Sequence, residues 1–228
     1  GDARVDRVVP AAGVTNAAFT PDPSQAAAID LADRERVMVL TGGPGRGKTA
    51  TLVAILARWA TAGIRNVVLC APTGKAAKRM TEQTGHPAST IHRLLALEDS
   101  LIDSADAVAV DEASMVDTLL LATLLRRVPD HARLLVVGYV DQLPSIGAGQ
   151  VLRDLIDSGT VPVARLTTIH RQADGESSWI CQNADRILAG DLPQHDNDRA
   201  PDYFWVECGE GEDGAEEAAR QIVEAVEW

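Results

Sequence analysis

The sequence is poor in aromatic residues, in cysteine and in long hydrophobic runs. Aromatic residues make up 4% of the 228 residues, which leaves little material for stacking nucleic-acid bases. The three cysteines, Cys70, Cys181 and Cys208, lack metal-ligand spacing and are odd in number, so we expect reduced thiols in a cytoplasmic protein. No run approaches the roughly 18 apolar residues that span a bilayer, so we expect no membrane partner.

The net charge of −12 is unevenly distributed along the chain. Residues 191–228 contain 12 acidic and 2 basic side chains, whereas residues 1–190 contain 21 acidic and 19 basic ones. A nearly neutral body can still present a local basic track to a polyanion. The acidity of the chain therefore does not exclude a nucleic-acid partner.

Short apolar runs alternate with helical patterns over most of the chain. The apolar runs at 37–40, 67–70, 107–110 and 134–137 predict buried strands, and residues 163–166 predict a further strand. Predicted helices span 26–32, 50–60, 75–83, 91–97, 116–127, 150–157, 177–189 and 215–226, and another strand spans 203–206. Buried strands that alternate with helices are typical of a parallel sheet covered on both faces. The fold class is therefore α/β, with a mainly parallel central sheet flanked by helices.

The composition changes after residue 190 and suggests where domains begin and end. Residues 1–21 are an irregular lead-in, and 22–190 form the main domain. Residues 191–201 are a polar, Pro- and Asp-rich linker, and 202–228 begin a second, truncated domain. Because the chain starts without methionine, we expect an excised piece of a longer protein.

The strongest motif lies between the first predicted strand and the helix that follows. Residues 42–49, GGPGRGKT, fit the pattern G-x-x-x-x-G-K-[ST]. Glycines let backbone amides close around phosphates, and the following helix points its positive end at them. Lys48 is expected to reach the β- and γ-phosphates, and the Thr49 hydroxyl to ligate Mg²⁺. The nucleotide-binding residues predicted here are Gly43, Pro44, Gly45, Arg46, Gly47, Lys48, Thr49 and Ala50.

Polar side chains also follow the third and fourth apolar runs. Asp111 and Glu112 come directly after 107–110, where one carboxylate can hold Mg²⁺ and its neighbour can polarise a water. Gln142 follows 134–137, and its amide can bond a γ-phosphate. Each segment alone is also compatible with a solvated loop or a Pro-containing turn, and the phosphate-binding loop upstream favours the functional interpretation of the carboxylates.

Two basic segments are candidates for contact with a phosphodiester backbone. Residues 71–79, APTGKAAKR, place a turn and a basic first helical turn after a strand, and residues 90–93, TIHR, form a similar cluster. Arg171 follows the strand predicted at 163–166 and could stabilise transition-state charge. A solvated basic face, or a surface salt bridge for Arg171, explains each segment when it is taken alone.

Together these segments resemble the helicase motifs of superfamily 1, most closely those of the RecD family of DNA helicases. The resemblance rests on TGGPGRGKT, APTGKAAKR, TIHRLL, DEASMVD, VDQLPSIGAGQVLRDLI and IHRQ, and it extends from about Asp22 to Pro193. DEASMVD with QLPSIGAGQVL is far more specific than the phosphate loop alone. Pif1-like helicases and the helicase part of conjugative relaxases have overlapping patterns.

The resemblance implies a RecA-like P-loop NTPase domain and an ATPase that moves 5′ to 3′ along single-stranded DNA. It implies that the strand ending near Gly138 lies between the phosphate-loop strand and the Asp111 strand. Gln25 would read the adenine, Asp111 would hold Mg²⁺, and Glu112 would activate water. Gln142 and Arg171 would contact the γ-phosphate. The residues expected along DNA are Pro72, Thr73, Lys75, Thr90, His92 and Arg93.

The resemblance further implies a role in DNA repair or recombination and partners that this chain does not contain. A second RecA-like domain normally closes over the ATP, so we expect this piece to bind nucleotide without unwinding a duplex unaided. Subunits of a nuclease–helicase complex are possible partners.

Three residues depart from the usual family pattern. Tyr139 stands in place of an aspartate, Arg46 in place of a small hydroxyl residue, and His170 in place of phenylalanine. A phenol cannot replace a carboxylate that couples the nucleotide and DNA sites. An alternative function is therefore a nucleotide-dependent DNA-binding or regulatory module without productive turnover. A small-molecule kinase is disfavoured, because a kinase needs no second basic track.

Overall fold

The structure is a computed structural model that describes residues 19–97, 100–170, 179–195, 203, 205–209 and 211–226. The chain divides into two compact units, residues 1–170 and 171–228. The predicted domain boundary at residue 190 lies within the second unit, and the extent of the domains stays a prediction. Within the described ranges, no helix has both the length and the apolar character that crossing a membrane requires.

In the described part of the first unit, six α-helices alternate with six strands. The helices are α1 (Pro23–Arg34), α2 (Lys48–Thr61), α3 (Gly74–Thr84), α4 (Ile91–Ala96), α5 (Thr118–Leu125) and α6 (Val151–Asp157). The strands are β1 (Val37–Thr41), β2 (Val67–Ala71), β3 (Ala88–Thr90), β4 (Ala107–Val110), β5 (Arg133–Gly138) and β6 (Val163–Arg165). Short 3₁₀ helices span Leu101–Ser104 and Ala113–Met115.

The strands form one parallel sheet in the order β3-β2-β4-β5-β1-β6. This confirms the predicted fold class and the expected position of β5 between β1 and β4. The carboxyl ends of parallel strands lie along one edge of the sheet, where ligands bind in folds of this kind. The loops that carry the predicted site residues therefore gather at a single edge.

The core has one layer on each face of the sheet. Along β1, Met38 and Leu40 pack into one layer and Val39 into the other, as the two-residue period of a strand requires. Helix α2 contributes Trp59 to the first layer, and its indole Nε1 donates to the carbonyl of Ala32 at 3.3 Å. Because both faces are covered, the four inner strands β1, β2, β4 and β5 are largely apolar, so their runs can be recognised in the sequence.

Some predicted elements differ from those observed. The edge strand β3 was not predicted, because it is three residues long and half-buried and carries no apolar run. Helix α5 begins at Thr118 rather than at residue 116, because the Asp117 side chain accepts from the amide of Leu120 and caps it. The described residues of the predicted strand 203–206 form no strand. There the Trp205 ring stacks on the ring of His195, with centroids 5.3 Å apart.

The second unit contains α7 (Trp179–Leu188) and α8 (Gly211–Val226). After α7 the chain turns back on the helix, and the buried Asn183 holds it there. Its Nδ2 donates to the carbonyl of Gln194 at 2.8 Å, and its Oδ1 accepts from the Gln194 amide at 2.8 Å. These paired bonds satisfy a buried amide side chain on both sides.

Candidate nucleotide and DNA site

The phosphate loop is shaped by glycines with left-handed backbones. Gly45 has a φ of 72° and Gly47 a φ of 78°, a region that side-chain-bearing residues rarely adopt. Gly47 is the residue before α2, so the loop turns directly into the first turn of that helix. The first four amides of a helix have no partner within the helix and carry its positive end. The local sequence therefore builds an anion cradle at the end of β1.

Lys48 folds back over this loop. Its Nζ donates to the carbonyls of Gly42 at 2.7 Å and Gly43 at 3.2 Å, and it lies 5.7 Å from the centroid of the Tyr139 ring. Burial lowers the pKa of Lys48, and the neighbouring charges of Glu112 and Asp111 act in the opposite direction. The ammonium is thus within electrostatic reach of both predicted carboxylates.

Asp111 and Glu112 continue β4 at the same sheet edge. The Asp111 amide donates to the carbonyl of Cys70 at 2.9 Å, and Asp111 Oδ1 accepts from the Glu112 amide at 2.9 Å. Burial raises the pKa of Asp111, and the Glu112 charge raises it further, while the Glu112 amide, Lys48 and Arg79 lower it. A desolvated carboxylate beside another acid favours a nearby cation.

Glu112 has a strained backbone. Its φ of 52° is the one positive value among the described residues other than glycine. For an L-residue this region costs about 1–2 kcal/mol, and such strain clusters at functional sites. The sharp turn directs the chain into the 3₁₀ helix that begins at Ala113.

Gly138 lets β5 approach this turn closely. A Cβ at Gly138 would lie 2.7 Å from Leu152 Cδ2 and 3.2 Å from the Ala113 nitrogen, so a larger residue does not fit. The next residue, Tyr139, reaches the phosphate loop, since its Cζ lies 3.7 Å from the position of a Cβ on Gly43. The phenol therefore stands beside Lys48, where the family pattern has a carboxylate.

Gln142 lies one turn beyond Tyr139, at the start of an exposed loop. Its amide donates to the Tyr139 carbonyl at 3.2 Å. Its side chain is exposed and makes no hydrogen bond to any described residue. The structure thus brings Lys48, Asp111 and Glu112 together but not the side chain of Gln142, whose contact with a γ-phosphate stays a prediction. Arg171, the other predicted γ-phosphate contact, lies outside the described residues.

The predicted magnesium ligands are oxygen donors, which suit a hard cation. Thr49 is the second residue of α2, and its hydroxyl donates to Gln83 Oε1 at 3.4 Å, a long bond that a metal could replace. In the part of the chain described here, no group of three or more His, Cys, Asp or Glu side chains could hold a metal. Two oxygen ligands such as Thr49 and Asp111 suit Mg²⁺ when phosphates and water complete its coordination, and this role stays a prediction.

Gln25 is buried beneath the loop. Its Oε1 accepts from the Asp22 amide at 3.1 Å, and its Nε2 lies 2.5 Å from the position of a Cβ on Gly47. A groove of about 680 Å³ runs along α2 from Thr49 and Ala50, and its lining is mainly apolar. The role of Gln25 in reading adenine stays a prediction.

The predicted DNA residues lie at the ends of β2 and β3. Ala71 pairs with Thr90 in the sheet, so Pro72 and Thr73 emerge beside Thr90. Thr73 Oγ1 accepts from the Ala76 amide at 3.2 Å, and Thr90 Oγ1 accepts from the Arg93 amide at 3.2 Å. Both threonines therefore cap helices. The cationic or imidazole side chains of this set, Lys75, His92 and Arg93, are exposed.

Helix α3 joins these two groups, which was not predicted. Its Gln83 contacts Thr49, and the charge of Arg79, one turn earlier on the same face, reaches both Lys48 and Asp111. The i, i+4 spacing of Arg79 and Gln83 can be recognised in the sequence. Only the packing of α3 against α2 shows that this face of α3 lies toward Thr49.

A family model described as an AAA domain matches residues 20–210. The chain is 42% identical over 176 residues to the ATP-dependent RecD2 DNA helicase of Deinococcus radiodurans, covering 74% of this chain and 24% of that protein. It is 39% identical over 200 residues to the RecBCD enzyme subunit RecD of Mycolicibacterium smegmatis, covering 73% and 35%. The chain thus spans about a quarter to a third of these relatives' lengths.

Solved structures of Pif1 helicases share the fold. The helicase from Candida albicans superposes with a TM-score of 0.60 at 20% identity, over 78% of this chain and 46% of that one. Bacteroides Pif1 bound to single-stranded DNA superposes with a TM-score of 0.56 at 21% identity, over 77% and 47%. At these identities the likeness concerns the fold alone.

Proposed function

Because the chain belongs to the AAA domain family and is a RecD-like superfamily 1 motor domain, we propose that it binds and hydrolyses ATP with Mg²⁺ and moves 5′ to 3′ along single-stranded DNA. The convergence of Lys48, Asp111 and Glu112 on one sheet edge carries the proposal. It supports a site built for phosphates, in which the half-buried Lys48 lies within electrostatic reach of two carboxylates.

Nucleotide binding uses the phosphate loop, Lys48 and Gln25. The amides of the loop and of the first turn of α2 cradle the phosphates, and Lys48 exchanges its carbonyl partners for phosphate oxygens. The base lies near Gln25, which packs beneath the phosphate loop. Gln25 reads the adenine edge with the amide that now packs against Gly47.

Hydrolysis is a matter of position and charge. Thr49 and Asp111 hold Mg²⁺, which neutralises charge on the phosphates when bound. Glu112 orients the attacking water and accepts its proton, and its strained backbone is of a kind that clusters at functional sites. Gln142 and Arg171 contact the γ-phosphate once the site closes around it.

DNA binding uses the adjacent ends of β2 and β3. Pro72, Thr73 and Thr90 offer backbone and hydroxyl contacts at two neighbouring helix starts, and the exposed Lys75, His92 and Arg93 supply positive charge. Helix α3 connects this track with Thr49 and Lys48, which favours coupling between DNA and ATP.

The complete motor requires more than this chain. A second RecA-like domain closes over the ATP, so this chain alone does not unwind duplex DNA. Partners from a nuclease–helicase complex, a cytoplasmic location and a role in DNA repair or recombination are further parts of the proposal. The RecD relative is described as a subunit of the RecBCD enzyme, which supports the partner class.

A second candidate is a nucleotide-dependent DNA-binding or regulatory module without turnover. The position of Tyr139 favours it, because a phenol rather than a carboxylate stands beside Lys48. The two candidates differ in whether ATP is hydrolysed at all.

The deciding experiment measures Mg²⁺-dependent ATP hydrolysis by the 228-residue chain, with and without single-stranded DNA. The motor proposal expects hydrolysis that rises with DNA and is lost in Lys48→Ala. Nucleotide binding without hydrolysis supports the regulatory module, and absence of nucleotide binding overturns both. Arg126→Ala, which removes an exposed basic side chain at the end of α5, is the matched control and retains hydrolysis.

A further inference from the structure

Residues 166–170, which we call the strap, follow β6 and run beside the phosphate loop and the start of α1. The Leu166 amide donates to the carbonyl of Thr41, the last residue of β1, at 2.8 Å. One residue later the Thr167 amide donates to Ser24 Oγ at 3.3 Å. The strap therefore begins as a continuation of the sheet and then contacts α1.

Two bonds join the strap to the phosphate loop. The His170 amide donates to the carbonyl of Gly45 at 2.8 Å, and the Arg46 guanidinium donates to the carbonyl of Thr167. In a trans peptide the C=O and the following N–H point in opposite directions. The bond from the His170 amide points the Gly45 carbonyl toward the strap. The Arg46 amide, which belongs to the same peptide, therefore points away from the strap. The bond therefore fixes the orientation of one amide of the phosphate cradle.

The His170 side chain also bonds to Asp22, the residue that caps the start of α1. His170 Nε2 lies 2.5 Å from Asp22 Oδ2, and the Asp22 side chain is 12% exposed. Burial raises the pKa of Asp22, but bonds from Ser24, His170 and the Gln25 amide outweigh it and hold the pKa well below its usual range. Asp22 is therefore a carboxylate that only accepts, and the imidazole nitrogen carries the proton.

The His170 ring also lies against Gly47. Its Cδ2 is 3.3 Å from the position of a Cβ on Gly47, where Gln25 Nε2 also packs. One side chain thus touches the last glycine of the loop while it binds the cap of α1, the helix that carries Gln25. The arrangement holds the phosphate loop and the predicted base-reading residue in one geometry.

We propose that His170 is a positioning residue that fixes the phosphate loop for ATP through its bond to Asp22. The inference rests on the proposed nucleotide binding. Without the Asp22 bond the strap can move, the Gly45 peptide can turn, and the cradle loses its arrangement before ATP arrives. The role belongs to the hydrogen bond rather than to the bulk of the ring.

The test is the affinity of the 228-residue chain for ATP with Mg²⁺, measured by titration calorimetry. His170→Phe keeps an aromatic ring against Gly47 but removes the bond, and we expect about 5- to 20-fold weaker binding. His170→Gln can still donate to Asp22, so its affinity is expected within about threefold of the unaltered chain. Rescue by glutamine but not by phenylalanine is the signature of the bond.

Asp22 supplies the second arm. Asp22→Ser keeps a residue that caps helices well but removes the carboxylate that His170 contacts. We expect the double variant Asp22→Ser/His170→Phe to bind ATP no more than about twofold more weakly than the weaker single variant, since both break one bond. His131→Phe, at an exposed histidine between α5 and β5, is the matched control and binds ATP normally.

The outcomes separate this inference from the proposed function. If Lys48→Ala abolishes ATP binding but His170→Phe binds as tightly as the unaltered chain, the inference is overturned and the function stands. The inference is also overturned if the losses of ATP affinity in the two single variants multiply in the double variant. If the unaltered chain binds no ATP, both fail. If circular dichroism shows that His170→Phe does not fold, the other two variants decide. Weak ATP binding by Asp22→Ser together with near-normal binding by His170→Gln supports the inference. Normal ATP binding by Asp22→Ser refutes it.

Discussion

Two parts of one sheet edge differ in how their side chains are held. At the ends of β1 and β4, which we call the phosphate half, Lys48, Asp111 and Glu112 are half-buried and bonded to or influenced by one another. At the ends of β2 and β3, the track half, Lys75 and Arg93 extend into solvent. The first arrangement is built around a small ligand, and the second offers charge along an open surface.

The difference follows from what each half is proposed to bind. A triphosphate is compact, so a few desolvated groups in fixed positions can recognise it. A nucleic-acid strand is long and its phosphates are alike, so affinity accumulates over exposed cations without a buried site. Substitutions in the phosphate half should therefore have large, specific effects, and those in the track half small, additive and salt-dependent ones.

The largest effect is expected for Glu112→Gln. It keeps the shape of the side chain but removes the base, so ATP hydrolysis should fall about 100-fold or more while ATP binding remains. Steady-state hydrolysis and ATP titration measure the two quantities separately. Glu82→Gln, at an exposed carboxylate of α3, is the control, and equal losses in both variants would contradict the role of Glu112.

A smaller effect is expected for Arg93→Ala in the track half. Loss of one phosphate contact should weaken single-stranded DNA binding about 3- to 10-fold and reduce the slope of log affinity against log salt by about 1. ATP affinity should not change. Fluorescence anisotropy over a salt series measures both, with Arg126→Ala at the exposed end of α5 as the control. An unchanged slope would remove Arg93 from the track.

Thr73→Ala tests whether the track half is also structural. The Thr73 hydroxyl accepts from the Ala76 amide and caps α3, so the free energy of unfolding should fall by about 1 kcal/mol. Thr73→Ser keeps the cap, so its free energy of unfolding should match that of the unaltered chain. Urea denaturation measures both variants. If serine restores stability but not DNA affinity, the threonine methyl also contributes to the track.

The smallest effect is a gain of stability in Asp111→Asn. Burial raises the pKa of Asp111, so the ionised carboxylate destabilises the folded chain at neutral pH. This penalty is complete above the folded-state pKa and disappears as the pH falls below the unfolded-state value. The midpoint of thermal unfolding should therefore rise by about 2 °C in the variant at neutral pH, and the difference should vanish in acid. A lower midpoint at pH 7 would contradict a desolvated carboxylate.

The fold was largely predictable because the four inner strands of the sheet are buried on both faces. Runs such as 107–110 are wholly apolar, and β4 occupies these residues in the structure. The edge strand β3 lacks such a run, so nothing in its composition distinguishes it from a loop. The aromatic residues at 203–206 are typical of a strand, but the described ones form none. The contact of Trp205 with His195 depends on tertiary packing rather than on the local sequence.

The site was predictable in its parts but not in its connections. The phosphate-loop motif and the carboxylates after β4 follow from local pattern, and the order of the strands brings them together. The contact of Gln83 with Thr49 and that of His170 with Asp22 join residues 34 and 148 positions apart. No local signal announces such pairs, since each residue alone is an ordinary polar side chain.

Local pattern was sufficient for what depends on near neighbours along the chain: which segments are strands, where the glycine loop turns, and which side chains stand at strand ends. Tertiary structure decided what depends on distant residues. It buried Lys48 and Asp111 enough to shift their pKa values, set Tyr139 beside the lysine, and placed the strap against the phosphate loop. The physical reason is that desolvation and hydrogen-bond partners are properties of the packed surroundings, and sequence neighbours supply only a small share of those.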